Sequence, residues 1–293
     1  MYAVAGVSGQ TGAAVAKALL VAGEKVRVIV RGADAGAAWR ARGADVAVAD
    51  VADTAALTAA LRGTTGAYLL NPPAYGAADP FAVAEGVGVS FAQALDASGT
   101  RRAVVLSSVG AHVTQGTGII ATNRRIEQAL AHVAVPVASV RARYFFENWR
   151  HVLAAVTANG VLPSFLTPLD RRVGMVTVND IAAQVVALLR GAAWQGRRIV
   201  ELASFDASPT EVAAALAQAL GTEVKPVAVA RDQWSGILAG GGMAPAAVAA
   251  FVEMYDGINA GTVAPSSGTE ARRGSTGLAT AASDLANARA VTA

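Results

Sequence analysis

The residues best suited to chemistry in this chain are three glycines near its start, Gly6, Gly9 and Gly12, which follow a short apolar run. The first lets the chain leave a strand sharply, the second removes a side chain where backbone must approach a diphosphate, and the third lets a helix pack on the strand. A helical stretch at 13–22 and a second apolar run at 25–30 follow. This order predicts a dinucleotide-binding turn, with the diphosphate at a helix N-terminus. A purely structural turn is the alternative.

Arg31 comes directly after the second apolar run. An acidic residue there would accept the ribose hydroxyls of NAD(H), whereas an arginine favours the 2′-phosphate of NADP(H). We therefore expect NADP(H) as the cofactor rather than NAD(H). A surface arginine at a strand end is the alternative.

The chain lacks the Tyr-x-x-x-Lys pair in which a lysine lowers the tyrosine pKa, so that the phenol can donate a proton near neutral pH. Its lysines are Lys17, Lys25 and Lys225, and none follows a tyrosine by four residues.

Ser107 and Ser108 end a predicted strand, and open parallel sheets bind ligands at the carboxyl ends of their strands. Either hydroxyl is therefore a candidate contact to cofactor or substrate. A serine pair that only caps a loop is the alternative.

These residues need a framework, and the alternation of apolar runs with helical stretches is typical of a parallel sheet covered on both faces. Predicted strands lie at 2–5, 26–30, 45–49, 66–71, 103–107 and 137–141. Predicted helices lie at about 11–22, 34–42, 53–62, 80–98 and 119–132. Later elements are a strand and capped helix from 173, a strand at 198–203 that rejoins the sheet, a helix start at 208–211, a strand at 224–229, and helices within 231–260 broken at glycines 240–242.

The pattern predicts an α/β fold, a Rossmann-like doubly wound parallel sheet with a small C-terminal α/β substrate lobe. We assign 1–142 to the NADP(H)-binding domain, completed by about 173–203. The lobe comprises 143–172 and 204–283, and 284–293 form a tail.

Composition excludes several classes of function. The chain has no cysteine and three scattered histidines, which argues against disulfides, thiolate catalysis and a metal site. Its formal net charge is only +3 and its arginine pairs are dispersed, so we expect no nucleic-acid partner. No apolar run approaches the roughly 18 residues of a membrane span, and the chain begins with a predicted strand. We expect a cytoplasmic protein, monomeric or homodimeric, without a membrane partner.

Two segments resemble a known family. With Val7-Ser8 and Gln10-Thr11 between the glycines, the loop is similar to that of atypical short-chain dehydrogenases, closest to the NmrA-like branch. That branch includes NADPH-dependent quinone oxidoreductases, isoflavone-reductase-like enzymes and regulators that bind the dinucleotide without turnover. Counted from Arg141, the chain also resembles the Arg-x-x-x-Phe/Tyr-x-Glu-Asn signature of the quinone-oxidoreductase and NmrA members. The resemblance covers about residues 1–283.

The resemblance implies which residues form the site. It places Asp50 at the adenine amino group, although Asp50 could instead cap a helix, a role better suited to Asp53. The implied cofactor contacts are Gly6, Ser8, Gly9, Gln10, Thr11, Gly12, Arg31, Asp50, Val51, Asn71, Pro72, Pro73, Ser107, Ser108, Asn123, Tyr144 and Phe145. The substrate pocket would include Tyr75, Phe146 and Asn148. Packing between domains is the alternative for Phe146 and Trp149.

Asn123 aligns with the essential lysine of isoflavone-reductase-like enzymes, so carbonyl reduction by their mechanism is not expected. Asn123, Tyr144 and Ser107 remain as catalytic candidates. Hydride addition to a quinone gives a delocalised anion and needs geometry and an apolar pocket more than a strong acid. The sequence thus predicts an NADP(H)-dependent oxidoreductase acting on a small aromatic or quinone-like substrate. A non-catalytic NADP(H) sensor with a protein partner and a tailoring reductase for an aromatic natural product are the alternatives.

Overall fold

A computed structural model describes residues 1–290, with side chains described through residue 288. The strands are β1 Tyr2–Val4, β2 Val26–Val30, β3 Asp45–Val48, β4 Gly66–Leu69, β5 Ala103–Ser108, β6 Val137–Ala142, β7 Tyr144–Phe145, β8 Val161–Ser164, β9 Val173–Val176, β10 Arg197–Ala203, β11 Phe205–Ala207, β12 Lys225–Ala228 and β13 Glu270–Arg273. The α-helices are α1 Gln10–Val21, α2 Ala37–Arg40, α3 Thr54–Leu61, α4 Pro80–Ser98, α5 Ala121–Ala129, α6 Leu153–Asn159, α7 Val178–Arg190, α8 Pro209–Leu220, α9 Trp234–Gly240, α10 Pro245–Ala260 and α11 Leu278–Ala290.

The central sheet has the order β13-β10-β6-β5-β4-β1-β2-β3 within the described residues. All of its neighbouring strands pair in parallel. The chain order reverses between β1 and β4, and such a switch point opens a crevice at the carboxyl ends of the strands. The predicted doubly wound fold is confirmed, and the crevice lies beside the glycine turn.

Helices cover both faces because successive strand residues point to opposite sides. Val104 packs with α1 and α7 on one face, whereas Val105 packs with α3, α4 and α5 on the other. Both faces of the central strands are apolar, which is the pattern of a parallel sheet buried on both sides.

The smaller lobe contains the three-stranded sheet β11-β9-β7 and the pair β12-β8, as far as the described chain extends. Its core packs α6, α8 and α11 around buried side chains such as Leu162 and Leu216. The predicted helix start at Ser208 is confirmed, because Ser208 and Glu211 form a capping box. The strand within 224–229 and the helix break after Gly240 are confirmed as well.

Three elements differ from the predicted division. β9 pairs with β11 and β7 in the lobe, not with the central sheet. β13 instead joins the central sheet beside β10, and its sequence Glu-Ala-Arg-Arg contains no apolar run that would have revealed it. α11 extends through 284–290 of the predicted tail because Leu285 is buried in the lobe core. Residues 291–293 of that tail lie outside the described residues.

Candidate functional site

The glycine turn after β1 has one closed and one open side. Gly6 has φ +69°, in the left-handed region that favours glycine. A Cβ on Gly12 would lie 2.3 Å from the carbonyl oxygen of Gly6 and 2.5 Å from that of Ala5, so α1 packs directly on the turn. A Cβ on Gly9 would meet only the Gly6 oxygen, at 3.4 Å, among the described atoms. Gly12 therefore serves the fold, and Gly9 leaves a space beside the backbone.

That space lies at the N-terminus of α1. In residues 1–288 no side chain caps this end and its first turn holds no acidic residue, whereas α7 and α8 are capped by Thr177 and Ser208. An uncapped first turn has free N–H groups and a positive dipole end, which favour an anion. Of the predicted loop contacts, Ser8 and Gln10 are exposed, and Thr11 is turned inward at 8% exposure.

Arg31 and Asp50 follow β2 and β3, which pair side by side. Arg31 is exposed and forms no hydrogen bond or ion pair with the described part of the chain. Asp50 accepts from the Ala52 N–H at 2.9 Å, and Val51 is buried. Asp53 caps α3 by accepting from the Ala55 and Ala56 N–H groups, so the alternative capping role belongs to Asp53. Arg31 is thus available for an anionic ligand.

The turn after β4 carries a buried acceptor. The Asn71 Oδ1 has no hydrogen-bond partner among the described residues, and such an orphaned oxygen requires a donor from a ligand or water. Pro72 and Pro73 fix the course of the turn. Tyr75 is 38% exposed and its ring packs edge-on against Phe251 of α10 at 4.9 Å. α10 therefore reaches across to this turn from the lobe.

Ser107 and Ser108 end β5 in different environments. The Ser107 Oγ lies 2.6 Å from Glu127 Oε1 of α5, and Ser108 donates to the Val109 carbonyl oxygen at 3.1 Å. Asn123 is half-buried on α5, one turn before Glu127. Residues four apart share a helix face, so Asn123 and Glu127 lie on the same side of α5.

Arg141 binds Glu127 from the neighbouring strand β6. The guanidinium forms a fork, with Nε 2.9 Å from Oε1 and Nη2 2.6 Å from Oε2. Glu201 of β10 also approaches Arg141, at 3.5 Å. Burial opposes the charge of Arg141, but Glu127 and Glu201 outweigh it and raise its pKa. Arg141 stands out in the sequence as a charged residue inside an otherwise apolar strand. The sequence does not show that Glu201 is its second partner.

The aromatic segment after β6 is divided between site and core. Phe146 is 1% exposed and packs edge-on to Phe205, and Trp149 is buried in the same cluster, so both pack within the core of the lobe rather than between the domains. Phe146 therefore offers no surface to a pocket in this structure. Tyr144 and Phe145 are half-buried, and Asn148 is exposed.

Tyr144 is flanked by Tyr255 of α10, a residue that the sequence did not single out. Burial and the Tyr255 phenol raise the pKa of Tyr144 well above its usual value, against the effect of Asn148. Tyr144 therefore keeps its proton at physiological pH. Glu147 accepts from the Val178 N–H at 2.8 Å, which ties the segment to the start of α7.

Other kinds of site find little support. Residues 1–290 contain no group of three or more histidine and acidic side chains that could hold a metal ion. Within the same range no helix has the length and apolar character to cross a membrane. The three lysines are exposed: Lys17 lies on α1, Lys25 directly precedes the amino end of β2, and Lys225 begins β12.

The NmrA-like family model matches residues 2–273. The chain belongs to the NmrA-like family. It is 30% identical over 226 residues to the (4-alkanoyl-5-oxo-2,5-dihydrofuran-3-yl)methyl phosphate reductase of Streptomyces griseus, covering 77% of this chain and 76% of that protein. It is 27% identical over 232 residues to quinone oxidoreductase 2 of Escherichia coli, covering 76% of each.

Solved structures of similar proteins share the fold over nearly the whole chain. The NADPH-dependent quinone oxidoreductase of Escherichia coli in complex with NADPH has a TM-score of 0.79 at 24% identity, covering 98% of this chain and all of that one. The Citrobacter triphenylmethane reductase in complex with NADP(H) has a TM-score of 0.78 at 18% identity, covering 97% and 99%. This NmrA-like chain therefore has the Rossmann-like architecture of both proteins.

Proposed function

We propose that this NmrA-like protein is an NADP(H)-dependent oxidoreductase that reduces a quinone or a comparably flat, activated acceptor. One observation carries the proposal: the uncapped N-terminus of α1, with open space at Gly9, lies at the same sheet edge as Tyr144 and Ser107, and no lysine stands in the segments that directly follow the central strands at this edge. This edge combines an anion site with an apolar wall.

The residues at the edge fit NADP(H). The first turn of α1 suits a diphosphate, and Ser8 and Gln10 are exposed beside it. Arg31 has a guanidinium available for a 2′-phosphate, and Asn71 Oδ1 has an unmet demand for a donor such as a ribose hydroxyl. When bound, NADPH supplies the hydride. The two similar proteins of known structure, one solved in complex with NADPH and the other with NADP(H), support the same cofactor.

The chain's own residues favour acceptors that need little acid catalysis. Tyr144 keeps its proton because burial raises its pKa, and no lysine lowers it. A phenol in this state is a weak acid, which suits a reduced acceptor whose negative charge is already delocalised. The half-buried Tyr144 ring would hold a flat molecule by apolar contact.

A conjugated lactone is the second acceptor class to test. The Streptomyces griseus relative is named for a 5-oxo-2,5-dihydrofuran, in which a ring double bond is conjugated with a carbonyl. Hydride addition to such a double bond also gives a delocalised anion. The same site would therefore serve this chemistry.

The deciding experiment measures NADPH oxidation by the purified protein against benzoquinone, naphthoquinone, a conjugated lactone and an unactivated ketone. We expect reduction of an activated acceptor and none of the ketone. NADPH binding without reduction of any acceptor would favour the sensor alternative. Efficient reduction of the ketone would contradict the proposal, because it would require a general acid that the site lacks.

A further inference from the structure

A buried chain of hydrogen bonds leads inward from Ser107. Its Oγ lies 2.6 Å from Glu127 Oε1, and the Arg141 fork holds both oxygens of that carboxylate. Arg141 also donates to Ser266 Oγ at 2.9 Å and approaches Glu201. Ser107 and Arg141 are 4% and 5% exposed, so water competes little for these bonds.

The direction of the outermost bond follows from the count of hydrogens. An arginine fork matches an ionised carboxylate, which only accepts hydrogen bonds. A serine hydroxyl has one hydrogen and two lone pairs. The hydrogen in the 2.6 Å contact therefore belongs to Ser107, and only lone pairs remain for a ligand.

Ser107 lies where a ligand is expected. β5 ends at the carboxyl edge of the sheet next to β4, whose following turn holds the unpaired Asn71 Oδ1. Asn123 lies one helical turn before Glu127 on the same face of α5. A group bound at this edge would meet an accepting oxygen of Ser107.

We propose that Glu127 is a positioning residue: it accepts the single hydroxyl hydrogen of Ser107, so that Ser107 can only accept hydrogen bonds from a ligand. The ligand group that Ser107 recognises is then an N–H or O–H donor, carried either by the nicotinamide carboxamide or by the acceptor substrate. Ser107 supplies no proton to the product, so Tyr144 or water does. This inference rests on the proposed binding of NADP(H).

Binding measurements test the inference without turnover. The probes are NADP⁺ and its 3-acetylpyridine analogue, in which a methyl ketone replaces the carboxamide and no N–H remains. For one buried hydrogen bond we expect the wild type to prefer NADP⁺ by about five- to tenfold. Ser107→Ala should abolish that preference. Ser90→Ala is the matched control, because Ser90 is buried on α4 outside the site and should leave the preference intact.

Two further variants separate positioning from folding. Glu127→Gln keeps the Ser107 hydroxyl but no longer fixes its hydrogen, so we expect part of the preference to disappear. Arg141→Lys keeps a positive charge but loses the fork, and should give a smaller loss in the same direction. Thermal unfolding of each variant checks that it is folded. If the variants lose the preference for NADP⁺ in proportion to their loss of thermal stability, and not according to whether the Ser107 hydrogen is held by Glu127, the positioning role is overturned.

The remaining outcomes distinguish the source of the donor. If the substrate carries it, Ser107→Ala leaves the relative affinity for the two dinucleotides as it is in the wild type but raises KM about five- to tenfold for a hydroxymethyl quinone relative to its methyl ether. No change in either comparison would overturn the inference. So would loss of the proton-donating limb of the kcat–pH profile in Ser107→Ala. Failure of the wild type to bind NADP⁺ would refute the proposed function itself.

Discussion

A pair of glycine substitutions separates the two roles of the turn after β1. A Cβ on Gly12 would lie 2.3 Å from the Gly6 carbonyl oxygen, against an optimal separation of about 3.5 Å, so backbone must move by about 1 Å. Overpacking of this kind costs about 1–3 kcal/mol. Gly9 has φ −99° and ψ 176°, which any residue adopts, and a Cβ there has room. Gly9→Ala should leave stability unchanged or raise it by up to about 1 kcal/mol.

The two variants should therefore differ in which property they lose. Gly12→Ala should lower the melting temperature by several degrees, at roughly 2–4 °C per kcal/mol. Gly9→Ala should fold normally but bind NADPH about 10- to 100-fold more weakly, because its methyl group separates the N–H groups of α1 from the diphosphate. Calorimetry and thermal unfolding measure both quantities. A Gly9→Ala protein that binds NADPH as tightly as the wild type would refute the assignment of this space to the cofactor.

Substitutions at three other residues test one side chain each. Arg31→Ala should weaken the binding of NADPH by on the order of 1.5–3 kcal/mol and leave the binding of NADH unchanged, as measured by fluorescence titration. Equal weakening of the binding of both dinucleotides would contradict the 2′-phosphate contact. Tyr144→Phe should keep most of the quinone-reductase rate, whereas Tyr144→Ala should lose it with the ring wall; a Phe variant as slow as Ala would instead make the hydroxyl essential. Burial alone would raise the pKa of Asp180, but hydrogen bonds from Ser204, Thr276 and neighbouring groups lower it overall. Asp180→Asn should therefore lower the free energy of unfolding by about 2–3 kcal/mol at pH 7. The difference from the wild type should shrink below about pH 4, as the wild-type carboxylate is protonated. Denaturant unfolding at pH 7 and below pH 4 measures both values, and a loss that is the same at the two pH values would contradict the prediction.

The central sheet could be predicted because its information is local. Each strand from β1 to β6 is a short apolar run, and each is separated from the next by a helical stretch, so the alternation indicates a parallel sheet without knowledge of any contact. β13 carries no such pattern. Its four residues are mostly charged and it is held at the sheet edge by backbone pairing with β10, which leaves no trace in side-chain periodicity.

The site could be predicted where a residue type is itself the signal. The glycines and Arg31 stand at fixed offsets from strands, so their place at the sheet edge follows from the strands. Tyr255 could not be found in this way. It is one of many residues on the mainly apolar helix α10, and it approaches Tyr144 only because of how the lobe packs. The pairing of Arg141 with Glu201 likewise depends on β10 returning to the sheet beside β6.

The absence of a lysine and the state of the two candidate hydroxyls together limit what the site can reduce. Tyr144 holds its proton firmly, since burial raises its pKa, and the hydrogen of Ser107 is directed at Glu127. Neither hydroxyl is therefore activated to protonate a localised alkoxide during hydride addition. Acceptors whose negative charge is spread by conjugation place the weakest demand on such a site, because solvent can protonate them afterwards. Selectivity for activated acceptors would then arise from their electronic structure, and the lobe would need only to hold them flat against the Tyr144 ring.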